Sequence, residues 1–172
     1  MESNVERLKE IIDLKNPKTI FIGGRPATGK SSLGFAVVNN VANEGGAVAL
    51  FNLETGAETI RKQNNIDERI TIIDTPNISI EEIETKCKEI DNLKMVVIDY
   101  LQLVKSDTNI CEKLQNLSNK LNVTIIVLSQ LSRTVEEKEE PTIADVKVDI
   151  IENFNTIAFL NRDKELIVVK NG

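Results

Sequence analysis

Gly24-Arg25-Pro26-Ala27-Thr28-Gly29-Lys30-Ser31 decides how the rest of this 172-residue chain is read. The stretch fits G-x-x-x-x-G-K-[ST] at every fixed position, the pattern of a phosphate-binding loop. Its setting agrees with its letters. The apolar run Thr19 to Ile22 predicts a buried strand, Gly23 to Gly29 a loop, and Lys30 to Asn43 a helix. Glycines there let backbone N–H groups turn inward around phosphate oxygens, and the helix start adds the positive end of its dipole. Gly24, Arg25, Pro26, Ala27, Thr28, Gly29, Lys30, Ser31 and Ser32 form the candidate nucleotide cradle. Within it Lys30 is expected to reach the β and γ phosphates of ATP, and the Ser31 hydroxyl to face Mg²⁺, an ion that favours oxygen ligands.

Outward from this loop, Ala47 to Leu53, Arg69 to Asp74, Met95 to Ile98 and Thr124 to Leu128 read as further buried strands. Helices separate most of them. Thr55 with Glu58 and Ser79 with Glu82 have the spacing of capping boxes, and Ile110, Leu114, Leu117 and Leu121 mark one face of another helix. Strands alternating with helices predict an α/β fold with a mostly parallel twisted sheet flanked by helices. Ser3 with Glu6, and Val5, Leu8, Ile11 and Ile12 at helical spacing, predict an amphipathic helix at the amino end. The expected organisation is this helix over residues 1–17 and one nucleotide-binding domain over residues 18–172. Glu136 to Glu140, closed by Pro141, reads as a solvated charged loop. Thr156 to Leu160 and Leu166 to Lys170, joined by the polar turn Asn161 to Glu165, predict a C-terminal β-hairpin.

Three polar residues stand at the ends of apolar strands. Met95-Val96-Val97-Ile98-Asp99 is apolar up to one terminal carboxylate, as a central strand ending at the ligand crevice of an open sheet would be. Asp99 is thus the Walker B candidate, a carboxylate for Mg²⁺; the alternative is a strand-terminal Asp capping the next turn. Glu54 ends Ala47 to Leu53 and would project toward the same crevice, either to activate the attacking water or to complement the dipole of the helix after Thr55. Gln130, just beyond Leu128, is placed either to sense the γ phosphate or to cap a loop.

Composition narrows the remaining classes. With 41% hydrophobic residues the chain has enough for one α/β core and too few for two ordinary domains. It has no run of about eighteen apolar residues for a membrane span, and MESNVERLKE lacks the regions of a signal peptide, so a cytoplasmic protein is expected. Two cysteines, Cys87 and Cys111, and no histidine leave little for a disulfide framework, a zinc site or histidine-based catalysis. Both cysteines read as small core residues. A net charge of -6 argues against one broad basic face for nucleic acid, so any such contact must be local or assembled.

Five blocks in order resemble the RecA-like motor domain of the DnaB-type replicative DNA helicases, a P-loop NTPase family. Gly23 to Ser31 is similar to that family's phosphate loop, including the Arg25-Pro26 pair. Phe51-Asn52-Leu53-Glu54 resembles its Phe-Ser-Leu-Glu, whose glutamate is the catalytic base, which favours that role for Glu54. Ile98-Asp99-Tyr100-Leu101-Gln102-Leu103 looks like its Walker B block, and Leu128-Ser129-Gln130-Leu131-Ser132-Arg133 like its glutamine sensor segment. Ala158 to Asp163 followed by Val168-Val169-Lys170 is similar to its last hairpin.

The resemblance runs from about Lys18 onward and takes in no amino-terminal collar domain. It implies ATP and Mg²⁺ as ligands, single-stranded DNA bound through an assembled ring or filament, and replication or helicase partner proteins. Three departures bear on this. The family's linker helix, which docks on a neighbouring subunit, has no counterpart unless the amino-terminal helix replaces it. Little room lies between Leu103 and Ile110 for a DNA-facing loop. Two residues after the terminal lysine the family has an arginine acting across the subunit interface; here Gly172 follows Lys170 at that spacing, leaving Lys170 as the candidate trans-acting cation. The functional expectation is an ATP-hydrolysing domain acting in DNA replication. Its alternative is a reduced, non-motor ATP-binding module that associates with a helicase or other partner. A P-loop small-molecule kinase ranks below both, for want of an arginine-rich lid segment.

Overall fold

In the computed structural model the described residues are 2–24, 29–53, 55–99, 110–130, 154–161 and 163–171. Their strands are β1 (Thr19–Gly24), β2 (Ala47–Asn52), β3 (Ile70–Ile73), β4 (Leu93–Asp99), β5 (Thr124–Gln130), β6 (Thr156–Leu160) and β7 (Leu166–Asn171). The helices are α1 (Glu2–Ile11), α2 (Lys30–Asn43), α3 (Ala57–Gln63), α4 (Ile80–Lys88) and α5 (Ile110–Leu121). One seven-stranded sheet runs in the order β3-β2-β4-β5-β1-β6-β7, parallel throughout except for the antiparallel β6–β7 hairpin at one edge. The α/β architecture expected from the sequence is therefore the observed one.

Central strands read as unbroken apolar runs because both faces of the sheet are covered. Alternate residues divide between two cores. Phe21, Phe51, Val96, Ile98, Ile125, Val127 and Phe159 face α4, α5 and Phe154, while Ile20, Ile22, Leu50, Met95, Val97, Ile126 and Leu128 face α1 and α2. Phe21 holds Phe154 and Phe159 edge to face, with ring centroids 5.5 and 6.3 Å away. Cys87 and Cys111 are buried in the first core and are not joined by a disulfide, and burial pushes the Cys87 thiol up to about 12.

Local signals succeed or fail for identifiable reasons. Ser79 and Glu82 form the predicted capping box on α4, each side chain reaching the other's backbone N–H. Thr55 does not cap α3. That helix starts at Ala57 after Gly56, and its first N–H donates to Asp74 Oδ2 at 2.8 Å, so a carboxylate from beyond β3 does what a local hydroxyl was expected to do. Helix α1 starts at Glu2, which puts Ser3 inside it rather than at its cap. It also ends at Ile11, short of the expected residue 17, and Asp13 Oδ1 then accepts from the Lys15 N–H and turns the chain. The charged stretch Glu136 to Glu140 lies outside the described residues.

Helix α1 packs on α2 and on the hairpin through Leu8 and Ile11. Asn4 fastens it: Oδ1 accepts from the Leu166 N–H at 3.0 Å and Nδ2 donates to the Lys164 carbonyl. Arg7 adds a bond to the Leu166 carbonyl at 2.8 Å. On the other side, α2 lies close enough to the sheet that a Cβ on Gly34 would meet Leu128 Cδ1 at 2.9 Å. Glycine there sets how near the helix that follows the phosphate loop comes to β5.

Candidate functional site

Register brings four strand ends to one edge of the sheet. Gly24 stands opposite Gln130 in the β1–β5 pair, Asp99 opposite Leu128 in the β4–β5 pair, and Asn52 opposite Asp99 in the β2–β4 pair. The last residues of β1, β5, β4 and β2 therefore line the carboxyl edge, where ligands of open α/β sheets bind. The phosphate-loop strand and the Asp99 strand are not neighbours. Strand β5 lies between them and presents half-buried Gln130 beside the start of the loop.

Residue 29 closes the loop with φ 85°, a left-handed conformation that suits glycine, and it precedes the first turn of α2. Lys30 opens the helix and is buried, at 8% exposure. One residue on, the Ser31 hydroxyl donates to Asp99 Oδ2 at 2.7 Å. Asp99 itself has no exposed surface. A buried carboxylate costs several kcal/mol of lost hydration unless donors or a cation compensate it, roughly the scale of an unpaired buried ion. Here the compensation includes Ser31 and Asn52, whose Nδ2 donates to Asp99 Oδ2 at 3.4 Å. Asn52 Oδ1 accepts in turn from the Thr55 N–H at 2.8 Å, and the Leu53 N–H donates to the Asp99 carbonyl at 2.9 Å. The ends of β2 and β4 are thereby tied together around the carboxylate.

The donor set suits a hard divalent cation. A hydroxyl and a carboxylate oxygen, adjacent and with no sulfur or imidazole, match what Mg²⁺ takes from proteins when phosphates and water supply its other positions. Among the described residues no group of three His, Cys, Asp or Glu side chains is placed to hold a metal.

Of the residues singled out from sequence, Gly24, Gly29, Lys30, Ser31, Ser32, Asp99 and Gln130 are at or beside this edge. Arg25, Pro26, Ala27, Thr28 and Glu54 lie outside the described residues; Glu54 follows directly on Leu53 and precedes Thr55, both fixed by the bonds above. Lys170 is elsewhere. It is exposed on β7 opposite Ile157, which in turn stands opposite Phe21, three residues back from Gly24. That is about 10 Å from the crevice along the strands and two strands across.

This geometry can be set beside that of known proteins. The family model described as "DnaB-like helicase C terminal domain" matches residues 59–171, well over half of the chain. The chain belongs to the DnaB-like helicase C-terminal domain family. Among relatives of this DnaB-like domain, "Replicative DNA helicase DnaC" of Bacillus subtilis (strain 168) is 31% identical over 194 residues, covering 84% of this chain and 43% of its own length. "Replicative DNA helicase DnaB" of Geobacillus stearothermophilus is 29% identical over the same shares. The DnaB-like chain thus spans under half the length of the relatives it matches. Two solved structures share its fold. One, described as an ATPase domain, superposes with a TM-score of 0.78 at 23% identity, over 98% of this chain and 82% of that one. "The Structure Of A DnaB-Like Replicative Helicase And Its Interactions With Primase" gives 0.77 at 24% identity, over 92% and 53%. The RecA-like fold implied by the motifs is the fold of this DnaB-like domain. No helix among its described residues is long and apolar enough to cross a membrane.

Sequence reading passed over Asn52. The signal was present, since an amide closing an otherwise apolar strand, two residues before a glutamate, is unusual in a buried position. Its partner, however, is 47 residues away and is defined only by the β2–β4 register.

Proposed function

We propose that this chain binds ATP with Mg²⁺ and hydrolyses it, as the nucleotide-handling domain of a protein acting in DNA replication. The observation that carries the reading is the 2.7 Å contact between Ser31, directly after the phosphate-loop lysine, and buried Asp99 at the end of β4. In this reading residues 24–32 cradle the phosphates, and Lys30 supplies a point charge to the β and γ groups. Ser31 and Asp99 hold Mg²⁺, which when bound neutralises charge developing on the phosphate oxygens. Glu54 takes a proton from the attacking water, and Gln130 reports the γ phosphate from the end of β5. Lys30→Ala should abolish tight ATP binding in calorimetry, and undiminished affinity would remove the phosphate-loop assignment.

A cytoplasmic location, single-stranded DNA as a ligand of an assembled ring or filament, and replication or helicase partners belong to the same reading. The second reading, a non-motor module that uses ATP to control association, is favoured by α1, which is docked on its own α2 and hairpin. Hydrolysis without an acceptor, and a rate raised by single-stranded DNA, would favour the motor over both this module and a small-molecule kinase.

A further inference from the structure

We infer that Asn52 is a positioning residue for hydrolysis, coupling the Asp99 carboxylate to the backbone at Thr55, the residue that follows Glu54 in the chain. The inference rests on the ATPase reading above and adds to it a residue with no counterpart in the phosphate-loop and Walker motifs. Asn52 is 3% exposed and lies directly opposite Asp99. A carboxylate only accepts, so the face of the amide toward Asp99 must be its NH₂, and the remaining oxygen is left for a donor. The Thr55 N–H fills that place at 2.8 Å. One uncharged side chain thus donates to the metal-side carboxylate and accepts from the backbone immediately after Glu54. Before Glu54, the Leu53 N–H is held by the Asp99 carbonyl at 2.9 Å. Both neighbours of Glu54 are therefore referenced to Asp99, one directly and one through Asn52.

Such coupling matters for in-line attack, since misplacing a water-activating group relative to the metal by about 1 Å costs on the order of a hundredfold in rate. The Nδ2 contact, at 3.4 Å, is longer than the roughly 2.7–2.9 Å of strong charge-assisted bonds, so a smaller effect, about tenfold, is expected from losing it.

The full chain separates this role from simple filling of a buried site. Asn52→Ala, Asn52→Asp and Asn52→Ser are compared with wild type by ADP affinity in EDTA, Mn²⁺ binding to the ADP complex followed by electron paramagnetic resonance, ATP turnover, and exchange of the Thr55 amide proton. For Asn52→Ala the expected result is metal-free ADP affinity within about twofold of wild type, an altered Mn²⁺ signal with weaker Mn²⁺ binding, and kcat down about tenfold. Asn52→Asp keeps the acceptor for Thr55 and the volume but sets a second carboxyl against Asp99, so Thr55 stays protected while Mn²⁺ binding and turnover are both altered. Asn52→Ser restores a single donor or acceptor and should lie between. Should the alanine variant fail to fold, the serine variant carries the test. Unchanged Mn²⁺ binding and kcat in the variants, with a normal wild type, overturn the role of Asn52 alone. Wild type without any Mn²⁺-dependent ADP binding overturns the ATPase reading and the inference with it.

Discussion

Ser31 and Asp99 are 68 positions apart in the chain and share a 2.7 Å hydrogen bond, and that convergence is what turns a loop motif into a site. Because an amide can still accept the Ser31 proton but lacks the carboxylate's charge, Asp99→Asn should fold and bind nucleotide while its magnesium dependence weakens. A magnesium titration of ATP binding checks this; an unchanged curve would leave Asp99 as a structural acceptor only. At this scale the sequence was readable where chemistry is written in consecutive letters. Lys30 and Ser31 follow from the loop, and Asp99 from an apolar run that ends in a carboxylate. The partners of Asn52 and Asp74 were not readable. Each acts on a backbone or side chain brought to it by sheet register, and nothing beside them in sequence marks the partner.

The elements were legible by period and composition, and their ends less so. Helix α2 has the expected limits because glycine before it and a glycine turn after it both act locally. Strands β1, β4 and β5 extend beyond their apolar letters, since Gly23, Gly24, Asp99, Ser129 and Gln130 keep pairing with neighbours whatever their polarity. The docking of α1 depended on a tertiary contact that periodicity could not reveal. Asn4 is 5% exposed and satisfies the buried Leu166 N–H, so Asn4→Ala leaves that donor without its partner. An unmet buried N–H costs about 1–3 kcal/mol. A drop in thermal midpoint of several degrees is the expected result, read by circular dichroism. An unchanged midpoint would mean that Leu8, Ile11 and Arg7 hold α1 without Asn4.

For the whole molecule, alternation of strands and helices announced a parallel sheet, but not that β5 would separate β1 from β4, nor that the hairpin would extend the sheet beyond β1. That order places Lys170 on β7, two strands from β1, and the role proposed for it is therefore one on the nucleotide of another copy. An ammonium lacks the planar fork of an arginine, whose action across an interface accelerates phosphoryl transfer by roughly 10³ to 10⁵. The isolated chain is therefore expected to turn over ATP below about 1 s⁻¹, with a rate per chain that barely changes in a dilution series. A rate climbing steeply with concentration and collapsing in Lys170→Ala would instead show an assembled motor using the lysine in trans. The central claim is that the carboxyl edge of this sheet hydrolyses ATP, and phosphate release by wild type and Glu54→Gln with Mg²⁺ tests it most directly. The account predicts measurable release from wild type and a loss of at least about a hundredfold in the variant, with ATP affinity retained. Equal release from the two proteins would contradict it.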